Sequence, residues 1–367
     1  MKKNVCFLLR SACFLLILLA LVRFGNQFLI QQDTIAYLTM EEIHNRSDIR
    51  TAIIGSSIAQ LHFDPSIIES HTGDETMCAT ITNLGLPGML ALTREIFETN
   101  SPETVVLVVE GYTFQHVSED IQTQFKLMPH LTSLSTKREY FHNLMRHDGQ
   151  YLERMLMMNS FGLASWTDVY KAFALRMDAK AYFDTLLDEF GDPMTYTSGY
   201  VPALATADIE QVVREELGYD DVHVGGLFPF CEEMLLAIRD VCEENGAQLM
   251  VIAYPALSVH AVAEPFYLEL LDLARLFCRE NGIPFYNFTY AREAFMPCLD
   301  EYYFDLHHFN KTGADIFSDA FGRFLVMLEH GEDVEPLFKY SRYEYIESLG
   351  GKYDYWMSIL TEEETQP

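Results

Sequence analysis

Thr51-Ala52-Ile53-Ile54-Gly55-Ser56-Ser57 is a short β-branched run that stops on a Gly-Ser-Ser turn. A continuous apolar run of this kind, rather than an alternating one, reads as a strand covered on both faces. Four more runs follow the same plan. Ala79-Thr80-Ile81-Thr82 ends at Asn83-Leu84-Gly85, and Thr104-Val105-Val106-Leu107-Val108-Val109 ends at Glu110-Gly111. Gln248-Leu249-Met250-Val251-Ile252-Ala253-Tyr254 stops at Pro255, and Ile283-Pro284-Phe285-Tyr286 is the shortest. Amphipathic stretches at 89–100, 228–245, 262–281 and 311–328 lie between or after them. Asn245-Gly246 and Asn281-Gly282 close two of these stretches as helix ends that lead straight into strands. Strand–helix alternation predicts an α/β fold with a doubly wound, parallel, five-stranded sheet, its ligands bound beyond the carboxyl ends of the strands.

Working outward, about 135 residues separate the third and fourth strands, far more than one crossover needs. Residues from about 115 to 225 therefore read as an insertion, largely helical around 137–161 and 167–190. The division expected is a membrane anchor over 1–32, the α/β domain with its insertion over 33–330, and an acidic, tyrosine-rich tail over 331–367. Seven cysteines without a CxxC pair support neither a disulfide scaffold nor structural zinc, and read as scattered buried thiols. No metal site is expected.

The chain of 367 residues is 49% hydrophobic, which excludes a disordered acidic polymer, and its net charge of −29 argues against nucleic-acid binding. That charge is unevenly spread. Residues 1–32 contain Lys2, Lys3, Arg10 and Arg23 and no acid, so this segment is +4 and the remainder is −33. Ser11 to Val22 holds no charge, and extended back to Asn4 the apolar stretch is interrupted only by Arg10. As a helix rising about 1.5 Å per residue it approaches the thickness of a hydrocarbon core. The leading lysines would stay cytoplasmic, leaving the acidic body outside the cell membrane. A cleaved signal peptide is the rival, but Val22-Arg23-Phe24 offers no small-residue cleavage site.

Two elements carry chemistry. Gly55-Ser56-Ser57 ends the first strand, where a serine faces the ligand crevice; it is not a Gly-x-Ser-x-Gly elbow, because Ala59 replaces the second glycine. Asp305-Leu306-His307-His308 follows the last strand and precedes the last helix. An Asp and a His three apart on a turn can set the carboxylate against Nδ1 and leave Nε2 as a base. Together they make a hydroxyl nucleophile with an oriented base, Ser57 with His308 and Asp305. His307 should point away from His308. His62 and Asp64 read as the lead-in to a helix starting at Pro65. Asn45-Arg46-Ser47, Asn287-Phe288-Thr289 and Asn310-Lys311-Thr312 are glycosylation sequons by pattern only.

These residues resemble the SGNH/GDSL hydrolase superfamily. The resemblance covers roughly residues 50–112 and 246–328 and implies a flavodoxin-like, SGNH-type sheet. It implies Ser57 as nucleophile, with His308 and Asp305 completing the triad. Asn83-Leu84-Gly85-Leu86-Pro87-Gly88 looks like the block whose glycine donates to the oxyanion. Gly88 is the choice, with Gly85 the runner-up and Asn83 adjacent. The run from Asp305 through Asn310, Gly313, Ala314, Phe317 and Ser318 is similar to membrane-anchored members of the D-alanyl-lipoteichoic acid transfer and alginate-acetylation types. The sequence departs from the family at the third block, where Glu110-Gly111-Tyr112-Thr113 stands in place of a Gly-x-Asn-Asp turn. A carboxylate there would repel an oxyanion, so Glu110 is expected to point elsewhere, leaving Ser57 and Gly88 as the donors. One lost donor can cost about 10²–10³ in rate.

The activity implied is that of a serine esterase or O-acyltransferase needing no cofactor. Its acceptor would be a surface polysaccharide or teichoic-type polymer, and its partner a membrane-embedded acyl-transfer protein. The acidic body favours a neutral polysaccharide. The rival from another class is an anchored, non-catalytic binding or assembly protein that keeps the fold.

Overall fold

The computed structural model describes residues 2–29, 33–115, 121–146, 166–187, 193–217 and 222–362. Parts of the expected anchor, insertion and tail lie outside them. In chain order the elements are α1 (Lys2–Leu29), α2 (Thr34–Asn45), β1 (Thr51–Gly55), α3 (Ser57–His62), α4 (Pro65–Thr72) and β2 (Thr76–Thr80). Then come α5 (Leu86–Thr99), β3 (Thr104–Val109), α6 (Ile121–Leu127), α7 (Leu134–Met145), α8 (Trp166–Phe183), α9 (Ile209–Glu216) and α10 (Pro229–Glu244). The chain closes with β4 (Gln248–Ala253), α11 (Ser258–Ala263), α12 (Pro265–Glu280), β5 (Phe285–Asn287), α13 (Lys311–Glu329), α14 (Arg342–Leu349) and α15 (Gly351–Glu362).

The five strands form one all-parallel sheet in the order β2-β1-β3-β4-β5. Successive side chains of a strand face opposite ways, and here both faces are covered. Ala52, Ile54, Val105, Leu107, Val251 and Ala253 enter one core, packed by α2, α5, α10 and α12. Ile53, Cys78, Val106, Val108 and Ile252 enter the other, packed by α3, α4, α11, α13 and α15. That is why the strands read as unbroken apolar runs. β2 begins three residues earlier than the run that marked it, and the expected helix over 262–281 is α12 with its first two residues in α11. Glu264, at φ −137° and ψ 75°, separates α11 from α12. A residue before proline is driven from the helical region, and Pro265 then opens the next helix.

The described parts of the insertion include the helices α6 to α9, and they also return an extended segment along the free edge of β2. The Cys78 amide donates to Ser198 O at 2.8 Å, and the Val201 amide donates to Gln60 O at 3.1 Å. Gly199, at φ +88°, makes this possible: a Cβ there would sit 1.7 Å from Cys78 O. Gly199→Ala is therefore expected to destabilise the fold by about 3 kcal/mol, combining a left-handed backbone with a backbone clash. Thermal or chemical denaturation of the variant checks this.

The tail is packed through α15. Trp356 is buried and its Nε1–H donates to Ser258 Oγ at 3.1 Å. All seven cysteines are free, and Cys78, Cys231, Cys242 and Cys278 are buried. Among the described residues no helix is long and apolar enough to cross a membrane.

Candidate active site

β1 ends at Gly55, and Ser57 opens α3. Ser56 caps this helix, its Oγ accepting from the Ile58 amide at 3.4 Å. The first amides of a helix have no intrahelical acceptor, so the Ser57 N–H belongs to that group. Gly55 could not be larger, since a Cβ would lie 2.7 Å from Ala59 Cβ. The small residues at 55 and 59 thus let the chain turn tightly from strand to helix.

From the far end of the chain, the turn 305–308 meets this serine. His308 Nε2 lies 2.9 Å from Ser57 Oγ, and His308 Nδ1 lies 2.8 and 3.0 Å from the two Asp305 carboxylate oxygens. The same Asp305 accepts the amides of His307 at 2.7 Å and His308 at 2.8 Å. Partial burial alone would raise the Asp305 pKa, but the His308 imidazole and these amides hold it down to about 2. An ionised carboxylate therefore faces Nδ1 across the working range, which fixes the hydrogen there and turns the Nε2 lone pair to the serine. Asn310 caps α13 directly after the turn, accepting from the Gly313 amide at 3.0 Å.

His62, read from sequence as part of a helix lead-in, holds the turn from below. Its Nε2 accepts the Phe309 amide at 2.9 Å and its ring stacks on Phe309. Burial first, then the neighbouring His308, press its pKa well down, so it is a neutral acceptor. Asp64 caps α4 through the Ser66 amide at 2.9 Å. Asn287 and Asn310 are buried helix caps, which closes two of the three sequons to a glycan.

The remaining candidates fall around the same end of the sheet. Asn83 is exposed in the left-handed region at φ 60°, Gly85 precedes α5 half-buried, and Gly88 is buried in its first turn. Ile81 N–H donates to Gly55 O at 3.3 Å, tying this block to the serine turn. Glu110 follows β3 and is mostly buried, its amide donating to Thr113 Oγ1 at 3.1 Å. Burial lifts its carboxyl to about 7 against the pull of His308 and His260. Near neutrality Glu110 is thus half-neutral, which eases the conflict with a developing oxyanion that its sequence position raised.

Three residues at this end were not singled out from sequence. Tyr112 donates its hydroxyl to Glu264 Oε2, and Glu264 lies 2.9 Å from His260 Nδ1. The four-residue spacing of His260 and Glu264 was the available signal; neither matched a family block, and the proline between helices hid their shared turn. Among the described residues no group of three or more His, Cys, Asp or Glu side chains could hold a metal ion.

No protein-family model and no curated protein matches the chain. Among solved structures it is similar to the crystal structure of a "putative acylhydrolase" from Bacteroides fragilis NCTC 9343, at 11% identity and a TM-score of 0.35. The match covers 80% of this chain and 94% of that one. Likeness at that level carries no functional weight.

Proposed function

We propose that the protein is an SGNH-type serine acyl-ester hydrolase or O-acyltransferase. The observation that carries this reading is the hydrogen-bonded line from Ser57 Oγ through the His308 ring to Asp305. Ser57 Oγ attacks an ester or thioester carbonyl while its proton passes to His308 Nε2. The tetrahedral oxyanion is received by backbone amides, for which Ser57 and Gly88 are the proposed donors and Gly85 the second candidate. Its collapse expels the alcohol or thiol, which takes the proton from His308 and leaves an acyl-Ser57 ester. Water or an acceptor hydroxyl then repeats the sequence in reverse.

Membrane anchoring and export are part of the proposal. They are supported by the +4 N-terminal segment and by the exposed apolar side chains of α1, among them Phe7, Phe14, Leu16 and Leu19. An outward, tethered site suits a surface polymer as acceptor, and the −33 body suits a neutral polysaccharide better than an anionic one. An acyl-transfer protein in the same membrane would be the donor. The resemblance leaves one point in favour of a non-catalytic binding protein instead: Glu110 stands in the sequence where the family pattern has an oxyanion-donating asparagine.

Labelling with a fluorophosphonate probe, located by peptide mass spectrometry, tests the reading. The full chain is expected to take one label, on Ser57, and Ser57→Ala none. A folded wild type that takes no label overturns it in favour of the binding protein.

A further inference from the structure

His260 is fully buried beside the site, yet nothing in the serine mechanism uses it. Its Nδ1 lies 2.9 Å from Glu264 Oε2 and its Nε2 lies 2.9 Å from the main-chain oxygen of Leu306. A carbonyl oxygen only accepts, and a carboxylate only accepts. Glu264 also accepts the Tyr112 hydroxyl, and although burial would raise its pKa, the bonds from His260 and Tyr112 hold it below the ordinary carboxylate value. The Leu306 carbonyl therefore needs a hydrogen on His260 Nε2.

Leu306 is the residue between Asp305 and His307, inside the turn that delivers both His308 and its carboxylate. We propose that His260 is a positioning residue, a buried imidazole paired with Glu264 that pins the Asp305–His308 turn through the Leu306 carbonyl. The pin has a second end. Tyr112 stands two residues beyond Glu110, so the chain Tyr112–Glu264–His260–Leu306 ties the carboxyl end of β3 to the turn after the last strand. Around the ring, His307 stacks at 4.9 Å between centroids and Tyr267 at 5.4 Å, while Tyr112 meets it edge-on at 6.3 Å. The charged and titratable groups facing it are thus Glu264, Tyr112, Tyr267, His307 and the nearby Glu110. His307, pressed down to about 4 by burial first and by His260 next, is a neutral neighbour. Asp305 holds the turn by the amides of His307 and His308, and His260 by the Leu306 carbonyl of the same peptide unit as the His307 amide.

This inference rests on the serine reading for its kinetic consequence and not for its geometry. Two variants separate donor from shape. His260→Gln keeps an amide N–H for Leu306 O, whereas His260→Leu has none. Misplacement of a reacting group by about 1 Å can cost roughly 10²-fold, so His260→Leu should slow Ser57 labelling by about that factor and His260→Gln by less than about tenfold. Equal slowing in both variants, or none in His260→Leu, overturns the positioning role. Independently of activity, the full chain labelled with ¹⁵N-histidine should show a hydrogen on His260 Nε2, the signal being assigned by its loss in His260→Gln. The His308 signals should move in His260→Leu and stay near wild type in His260→Gln. A His260 Nε2 without a hydrogen overturns the inference. If wild type takes no label but these spectra are found, the serine reading falls and the pin stands.

Discussion

Asp305→Asn is expected to slow modification of Ser57 by about 10⁴-fold while leaving the chain folded. The asparagine oxygen can still accept the amides of His307 and His308, so the turn has its caps. What it cannot do is face His308 Nδ1 with an acceptor on both oxygens. Its amide nitrogen would donate to Nδ1, the ring hydrogen would move to Nε2, and Nε2 would donate to Ser57 Oγ instead of taking its proton. The wild-type carboxyl, held at about 2, stays ionised through any pH at which the protein would work, so the difference should not vanish on mild acidification. Pseudo-first-order labelling rates at pH 6, 7 and 8 decide it. A variant within about tenfold of wild type would mean that His308 does not depend on this carboxylate for its tautomer.

Glu110→Gln should raise stability at alkaline pH and leave it unchanged in acid. The Glu110 carboxyl sits at about 7 in the folded chain because burial disfavours its charge, against an ordinary value of 4.5. A group raised in this way favours the folded state fully below pH 4.5, and the benefit is lost as pH rises through 7. The cost of ionising it in place amounts to about 3 kcal/mol above pH 7, at 1.36 kcal/mol per unit. Glutamine is nearly isosteric and never ionises, so it should unfold with wild type at pH 4.5 and be the more stable at pH 8 by up to that amount. Denaturant midpoints at the two values measure the difference. Equal midpoints at pH 8 would place the Glu110 carboxylate in water.

Much of the site was open to sequence reading because its parts are local. Ser57 after a strand, and Asp305 with His308 before a capped helix, sit on turns whose chemistry three or four residues dictate. The pairing of His260 with Glu264 was equally local, yet what makes it matter, the Leu306 carbonyl, is 46 residues away. His62 sits where a helix lead-in is expected, as Asp64 proves to be, but its acceptor nitrogen serves an amide at Phe309 across 247 positions. Gly199 offered no signal either, since only the approach of β2 forbids a side chain there.

By itself the sequence determined the sheet. Five apolar runs broken by amphipathic helices have one economical packing, because each run must hide both faces and each helix one. It also determined which residue types could react, and the contrast of a cationic start with an acidic body. Only the tertiary structure decided that Ser57 and His308, 251 positions apart, stand at 2.9 Å, that Glu110 is buried enough to resist ionising, and that His62 and His260 both bond to the stretch that carries His308. The physical reason is the same each time. Periodicity and turn chemistry are set by neighbours along the chain, while desolvation and the meeting of donor with acceptor are set by whatever the fold brings from elsewhere.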